Sequence, residues 1–282
     1  VYNEFEKEFG KDPQVINQKK RIYLQLDKVE KAAQEIKSLI EDDPKNLEYH
    51  RQLASIYVAN DKMEKAMKVY EKMLEIAPED GKTNMALAEF YTKKGDKNKA
   101  FDHLKKGFKD PGLSIDEKVR FLLQTYLSQG INKDNREEAF QLAEILVEVH
   151  PNSAKSHAAY GDMLYQAGNQ QKAAAEYEEA LKYNKDNYAI WENLLQIHYR
   201  TSNYKSLKDR SEQALTYFPN QPQLYFYNGI GHKQTNNLDK AISQFKAGLQ
   251  LSINDPALKS QFYSNIAMTY HDMEKYDESD KY

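Results

Sequence analysis

The side chains able to do chemistry in this sequence are few and scattered. There are seven His and no Cys, which excludes thiolate nucleophiles, Cys-based zinc sites and disulfide frameworks together. No His falls in a spacing such as His-Glu-x-x-His, which sets two imidazoles around zinc on one helix face. His198 and His232 are 34 residues apart. A metal site or pH switch at this pair competes with two interior His that replace a recurring Tyr, and the interior role is expected. Gly229-Ile230-Gly231 opens like a dinucleotide fingerprint, but no strand precedes it and the third Gly is missing. It is expected inside a helix, where Gly229 permits close packing and Gly231 costs about 1 kcal/mol relative to Ala with no packing reason to offset it. Asn132-Lys133-Asp134-Asn135-Arg136-Glu137 resembles the start of a calcium loop, yet lacks the central Gly and the acid at the twelfth position. The expectation is therefore no catalytic residue, no metal, no cofactor and no enzyme activity.

The elements that carry these residues follow from a period. Ala32, Ala66 and Ala100 are 34 apart, and Tyr23, Tyr57 and Tyr91 precede them by nine. Ala139 follows after a longer interval, and Ala173, Leu207 and Ala241 resume the spacing of 34. Pro44, Pro78, Pro151 and Pro219 each lie 12 residues beyond one of these markers. Such recurrence calls for a repeat architecture. A small residue at one point of each second helix lets two antiparallel helices approach closely, and a larger one would force them apart. Between the two markers lies Asp27, Asp61, Gly95, Gly168, Ser202 or Asn236, residue types suited to a left-handed helix end or a cap. The Pro, flanked by Asp or Asn, closes one unit and opens the next.

This pattern resembles the tetratricopeptide repeat (TPR) family on several units. Leu53, Ala54, Tyr57, Ala66, Tyr70 and Pro78 match it closely. Tyr160, Gly161, Leu164, Ala173, Tyr177 and Ala180 match in a second unit, and Trp191, Leu194, Leu195, His198, Leu207, Ala214 and Pro219 match in part, with Leu for Ala. The resemblance implies an all-α, right-handed α-solenoid superhelix of stacked antiparallel helix hairpins, a single solenoid over 1–282. Complete units are expected at 13–46, 47–80, 81–114, 115–153, 154–187, 188–221 and 222–258. Residues 1–12 read as the second helix of an earlier unit and 260–282 as a truncated one. Longer connections are expected within 128–135 and at 251–257, since surface loops lengthen at small entropic cost.

Composition fits a folded repeat chain. Charged residues make up 29%, yet aromatics reach 12% with 21 Tyr, enough large surface to bury. Forty basic residues stand against 43 acidic ones, for a net charge of -3, with no long block of one sign. No nucleic-acid partner is expected from that balance. No apolar run approaches the roughly 20 residues that span a bilayer. The first residues are not a signal peptide, and the chain starts without Met inside a helical pattern, which reads as part of something longer. Localisation is not legible.

Among the family's uses, the resemblance implies a non-catalytic scaffold that holds a protein or peptide on a concave face built from positions 2, 5, 9, 12 and 13 of each unit. An alternative is the recruiting arm of a larger enzyme or assembly. The early units present Gln14, Asn17, Arg21 and Gln25, then Glu48, Arg51 and Ser55, then Lys82, Glu89 and Lys93, a polar surface of mixed sign. The later units present Tyr165, Tyr199, Arg200, Phe226, Ile230, Lys233, Met268 and His271, and these are the expected partner-binding residues because aromatic and Met side chains anchor interfaces. The chaperone carboxylate clamp of the family is matched only by Lys82, since Asn17, Arg21, Gln52 and Ala86 fill its other places. The Asn ladder of the O-linked sugar transferases is absent, because position 9 holds Arg21, Ser55, Glu89, Gln124, Asp162, Gln196, Ile230 and Met268. Exposed ends would also allow end-to-end self-association.

Overall fold

A computed structural model describes Tyr2 and residues 10–282; most of the expected helix at 1–12 lies outside the described residues. Among the described residues every regular element is helical. Successive helices pack as antiparallel hairpins: α1 (Pro13–Gln25) with α2 (Val29–Asp42), α3 (Leu47–Val58) with α4 (Met63–Ile76), and α5 (Gly81–Lys94) with α6 (Lys97–Lys109). The chain divides into two compact units, Val1–Lys118 and Val119–Tyr282, and the boundary falls inside α7 (Ile115–Leu122). In the second unit a π-turn (Leu123–Leu127) precedes α8 (Arg136–Val149). The following pairs are α9 (Ala154–Gln166) with α10 (Gln170–Tyr183), α11 (Tyr188–Arg200) with α12 (Tyr204–Tyr217), and α13 (Pro222–Gln234) with α14 (Leu238–Leu251). Then come α15 (Pro256–Asp272) and the short α16 (Tyr276–Ser279).

The recurring small residues sit where the helices meet. Ala32, Ala66, Ala100, Ala139, Ala173, Leu207 and Ala241 are all buried. Six turn positions hold a left-handed residue, with φ between 55° and 80° at Asp27, Asp61, Gly95, Gly168, Ser202 and Asn236, and Glu274 repeats the geometry in the last hairpin. The Pro-containing turns end in side chains that cap the next helix. Asn46 accepts from the amides of Glu48 and Tyr49, Asp80 from Thr83, and Ser153 from Lys155.

A second device recurs that the spacing of apolar residues does not announce. A donor near the start of a first helix reaches back six residues to a turn carbonyl. His50 Nε2 donates to Pro44 O at 2.9 Å, Asn84 Nδ2 to Pro78 O at 3.1 Å, and His157 Nε2 to Pro151 O at 2.9 Å. Trp191 Nε1 donates to Lys185 O and Tyr225 Oη to Pro219 O, both at 2.9 Å. Four different chemistries, imidazole, carboxamide, indole and phenol, serve one purpose, because the turn carbonyl needs only a donor of the right reach.

Gly231 departs from expectation. A Cβ there would lie 2.8 Å from the Lys208 backbone of α12, so the residue is held to Gly by the close approach of two helices. A Cβ on Gly229 would come closer still to the Phe245 ring.

The longer interval before Ala139 is absorbed in two ways. The π-turn closes with Ser128 N donating to Leu123 O at 2.9 Å, a wider ring than the α-helix makes. The segment that resembles a calcium loop then folds on itself. Asn132 Oδ1 accepts from the amides of Asp134 and Asn135, and Asn135 Oδ1 accepts from the amide of Asn132. These oxygens are engaged with the backbone, as in an Asx turn.

Candidate protein-interaction surface

The first unit has a trough across its first helices. One cavity of about 340 Å³ is lined by α1 and α3 through Lys20, Leu24, Arg51, Gln52 and Ser55. A second, also about 340 Å³, continues from Arg51 and Ser55 to Val58, Tyr70, Met73, Lys82 and Ala86. Small side chains at Ser55, Ala59 and Ala86 leave the space open, and apolar groups floor it. Leu24 and Val58 are partly exposed there, at 36% and 37%. Both hold position 12 of their units, the slot filled by Tyr165 and Tyr199 later in the chain, so the signal was present in the sequence. The polar residues at positions 2, 5 and 9 mask it in the sequence pattern.

Charge in this trough is organised by pairs. Arg51 Nη2 contacts Asp80 Oδ1 at 2.7 Å, and its Nη1 lies 3.5 Å from Glu48. Among the described residues Lys20 has no carboxylate partner of this kind: its Nζ donates to Asn17 Oδ1 at 2.6 Å and Gln52 Oε1 at 2.8 Å. Burial holds the Lys20 ammonium below its ordinary pKa, against the pull of Glu48. Lys82 is exposed at the other end of the trough.

In the second unit, the expected partner-binding residues Tyr165 and Arg200 come together, and Tyr199 stands on Phe226. Tyr165 Oη donates to Gln196 Oε1 at 2.9 Å, linking α9 to α11, and the Arg200 guanidinium lies over the Tyr165 ring at 6.0 Å. Tyr199 is 41% exposed and packs against Phe226 and Tyr227, with ring centroids 6.1 and 5.9 Å away. Lys233 is largely covered and pairs with Asp272 at 3.1 Å. Met268 is 52% exposed, and His271 rests edge-on against Tyr276.

Phe226 and Ile230 do not stand on an open face. They are 6% and 7% exposed, and Phe226 packs with Phe245 and Phe262 as well as with Tyr199. Gly229 and Gly248 leave room for those rings, which draws the position-5 and position-9 side chains of α13 inward. Phe226 supports Tyr199 from beneath.

One rung of this face was not foreseen. Asp162 Oδ1 on α9 accepts from Tyr177 Oη at 2.6 Å and from Asn193 Nδ2 on α11 at 3.3 Å. Burial raises the Asp162 pKa above the ordinary carboxylate value despite both hydrogen bonds. The two His of the shared slot are interior: His198 and His232 are 7% and 4% exposed. Burial, aided by Arg210, lowers the His198 pKa to about 4, while His232 Nε2 meets Glu212 at 3.0 Å. Among the described residues no group of three His, Asp or Glu side chains is placed to hold a metal ion, and no helix is long and apolar enough to cross a membrane.

These hairpins and faces are those of a known repeat class. Two family models, both described as tetratricopeptide repeat, match the sequence, one at residues 21–81, 131–181 and 171–206 and the other at 260–282. Together they cover more than half of the chain, which belongs to the tetratricopeptide repeat family. Human Protein O-mannosyl-transferase TMTC3 is 25% identical over 150 residues, which are 53% of this chain and 16% of that protein's length. The solved structure of MamA 41-end from Desulfovibrio magneticus RS-1 superposes with a TM-score of 0.50 at 16% identity, over 60% of this chain and 90% of its own. YrrB, described as a TPR protein with an unusual peptide-binding site, aligns at 16% identity and a TM-score of 0.46, over 74% of this chain and 86% of its own.

Proposed function

We propose that this chain is a non-catalytic scaffold that holds an extended segment of another protein along the face built by its first helices. The observation that carries this reading is the trough over α1, α3 and α5, with open space, an apolar floor and polar groups at its rim. Small apolar pockets rimmed by a few polar groups are the usual setting of a recognition hot spot. In the second unit Tyr165, Tyr199, Arg200, Met268 and His271 are the partner-facing side chains of the proposal, with Phe226 packed under Tyr199 and Lys233 held by Asp272. A test uses Lys82→Glu and Tyr199→Ala, both on exposed side chains. Each is expected to weaken capture of a binding protein from the native host at least several-fold, with the thermal transition unchanged for Lys82→Glu and the helical fold retained for Tyr199→Ala, which gives up some ring packing. Unchanged capture by both variants would remove this face from the account.

A second reading has one observation in its favour. The match to a mannosyl-transferase over half of this chain and 16% of that protein fits a recruiting arm carried by an enzyme. Attachment of the arm to a catalytic domain in the full open reading frame would select it. The residues of this chain would keep the same binding role.

A further inference from the structure

We infer that the face shared by α9 and α11 carries a recognition site for a single cationic side chain, an ammonium or guanidinium, presented by the partner segment. This rests on the scaffold reading for the segment but stands on its own geometry. Asp162 receives hydrogen bonds from two neutral donors, Tyr177 and Asn193, both at Oδ1. Among the described residues Oδ2 makes no hydrogen bond, and Asp162 itself is only partly buried. No cation balances the carboxylate among the described residues. Elsewhere comparable carboxylates are balanced: Glu35 by Lys19 at 2.7 Å, Asp80 by Arg51 at 2.7 Å and Glu178 by Arg210 at 2.6 Å.

A staple between α9, α10 and α11 needs only an acceptor oxygen, and an amide oxygen would supply it without the cost of desolvating a charge. The internal network therefore leaves the charge of Asp162 unused. Its surroundings suit an alkyl-ammonium or alkyl-guanidinium group. Tyr165 lies three residues along the same helix, so the two side chains share a face. The Tyr165 ring already holds the Arg200 guanidinium at 6.0 Å, and its hydroxyl is fixed by Gln196. An aliphatic stem can lie on such an aromatic wall while its charged head reaches the free carboxylate oxygen.

The absence of Cys permits a test that needs no known partner. Gln166→Cys, on an exposed side chain four residues after Asp162, is equilibrated in the full chain with cystamine and with hydroxyethyl disulfide. The two adducts differ only in an ammonium against a hydroxyl, and tethering raises the effective concentration enough to register a weak contact. Intact mass at fixed thiol–disulfide ratio gives the preference. The ammonium adduct is expected to be favoured about tenfold more in the Asp162 background than in Gln166→Cys with Asp162→Asn. Asp162→Asn retains the acceptor for Tyr177 and Asn193, so it is expected to fold and to melt no lower. A preference equal in the two backgrounds overturns the cation site. That result would leave capture by the trough and by Tyr199 unaffected, so it is distinct from failure of the scaffold reading.

Discussion

At Gly231 two opposing effects meet. Helix propensity favours Ala by about 1 kcal/mol, whereas a Cβ would press on the Lys208 backbone, which cannot swing aside as a side-chain tip can. Overpacking of this kind costs roughly 1–3 kcal/mol. Gly231→Ala is thus expected to lower stability to urea, and a gain would mean that α12 and α13 are less closely packed than described. At His198 the argument concerns protons. The imidazole is buried with Nε2 unpartnered, and its folded pKa of about 4 lies below the unfolded value near 6.5. The unfolded chain therefore binds the extra proton between these values. The contribution is intact above about pH 6.5 and is lost as pH falls toward 4, about 3 kcal/mol in all. His198→Phe should flatten the stability profile across that window, and an unchanged slope would contradict the burial argument. The interior role of His198 was legible because it stands in a slot filled by Tyr elsewhere. The reason for Gly231 was not, since a close approach between consecutive helices leaves no mark of its own on the sequence.

At the scale of elements, the hairpin turns were the most legible feature, because a left-handed backbone restricts residue type. Ser202 adopts φ 55° at a place where Gly168 adopts φ 80°. Ser202→Gly is expected to raise the thermal transition, relieving about 1 kcal/mol of left-handed strain less part of that in chain entropy. Gly168→Ala should lower it, and the opposite order would refute the shared turn geometry. The donors that reach back six residues were hidden because His50, Asn84, Trp191 and Tyr225 share no composition, only reach. Tyr225→Phe removes one such bond and little packing, so a loss near 1 kcal/mol by chemical denaturation is expected. The π-turn was equally hidden. A change of register from four to five residues has no side-chain signature, and the longer interval before Ala139 indicated only that something must be accommodated.

For the whole molecule, the periodic spacing made the repeat class readable, and family matches over more than half of the chain agree with it. The binding surface was harder. Aromatic side chains at the expected positions are concentrated in the second unit, where packing instead buries Phe226 and Ile230. In the first unit a run of polar positions concealed a trough whose apolar floor comes from Leu24, Ile56, Val58, Tyr70 and Met73. Burial of a ring depends on neighbours two helices away, which one helix's pattern does not contain. In the proposed function a partner segment lies along the first-helix face. The most direct measurement places a photo-crosslinking phenylalanine derivative at Ser55, at Lys82 and, on the second helix α4, at the exposed Lys72. The account predicts that one protein from the native host is joined at Ser55 and Lys82 and not at Lys72. Equal adducts at all three positions, or an adduct at Lys72 alone, would contradict it.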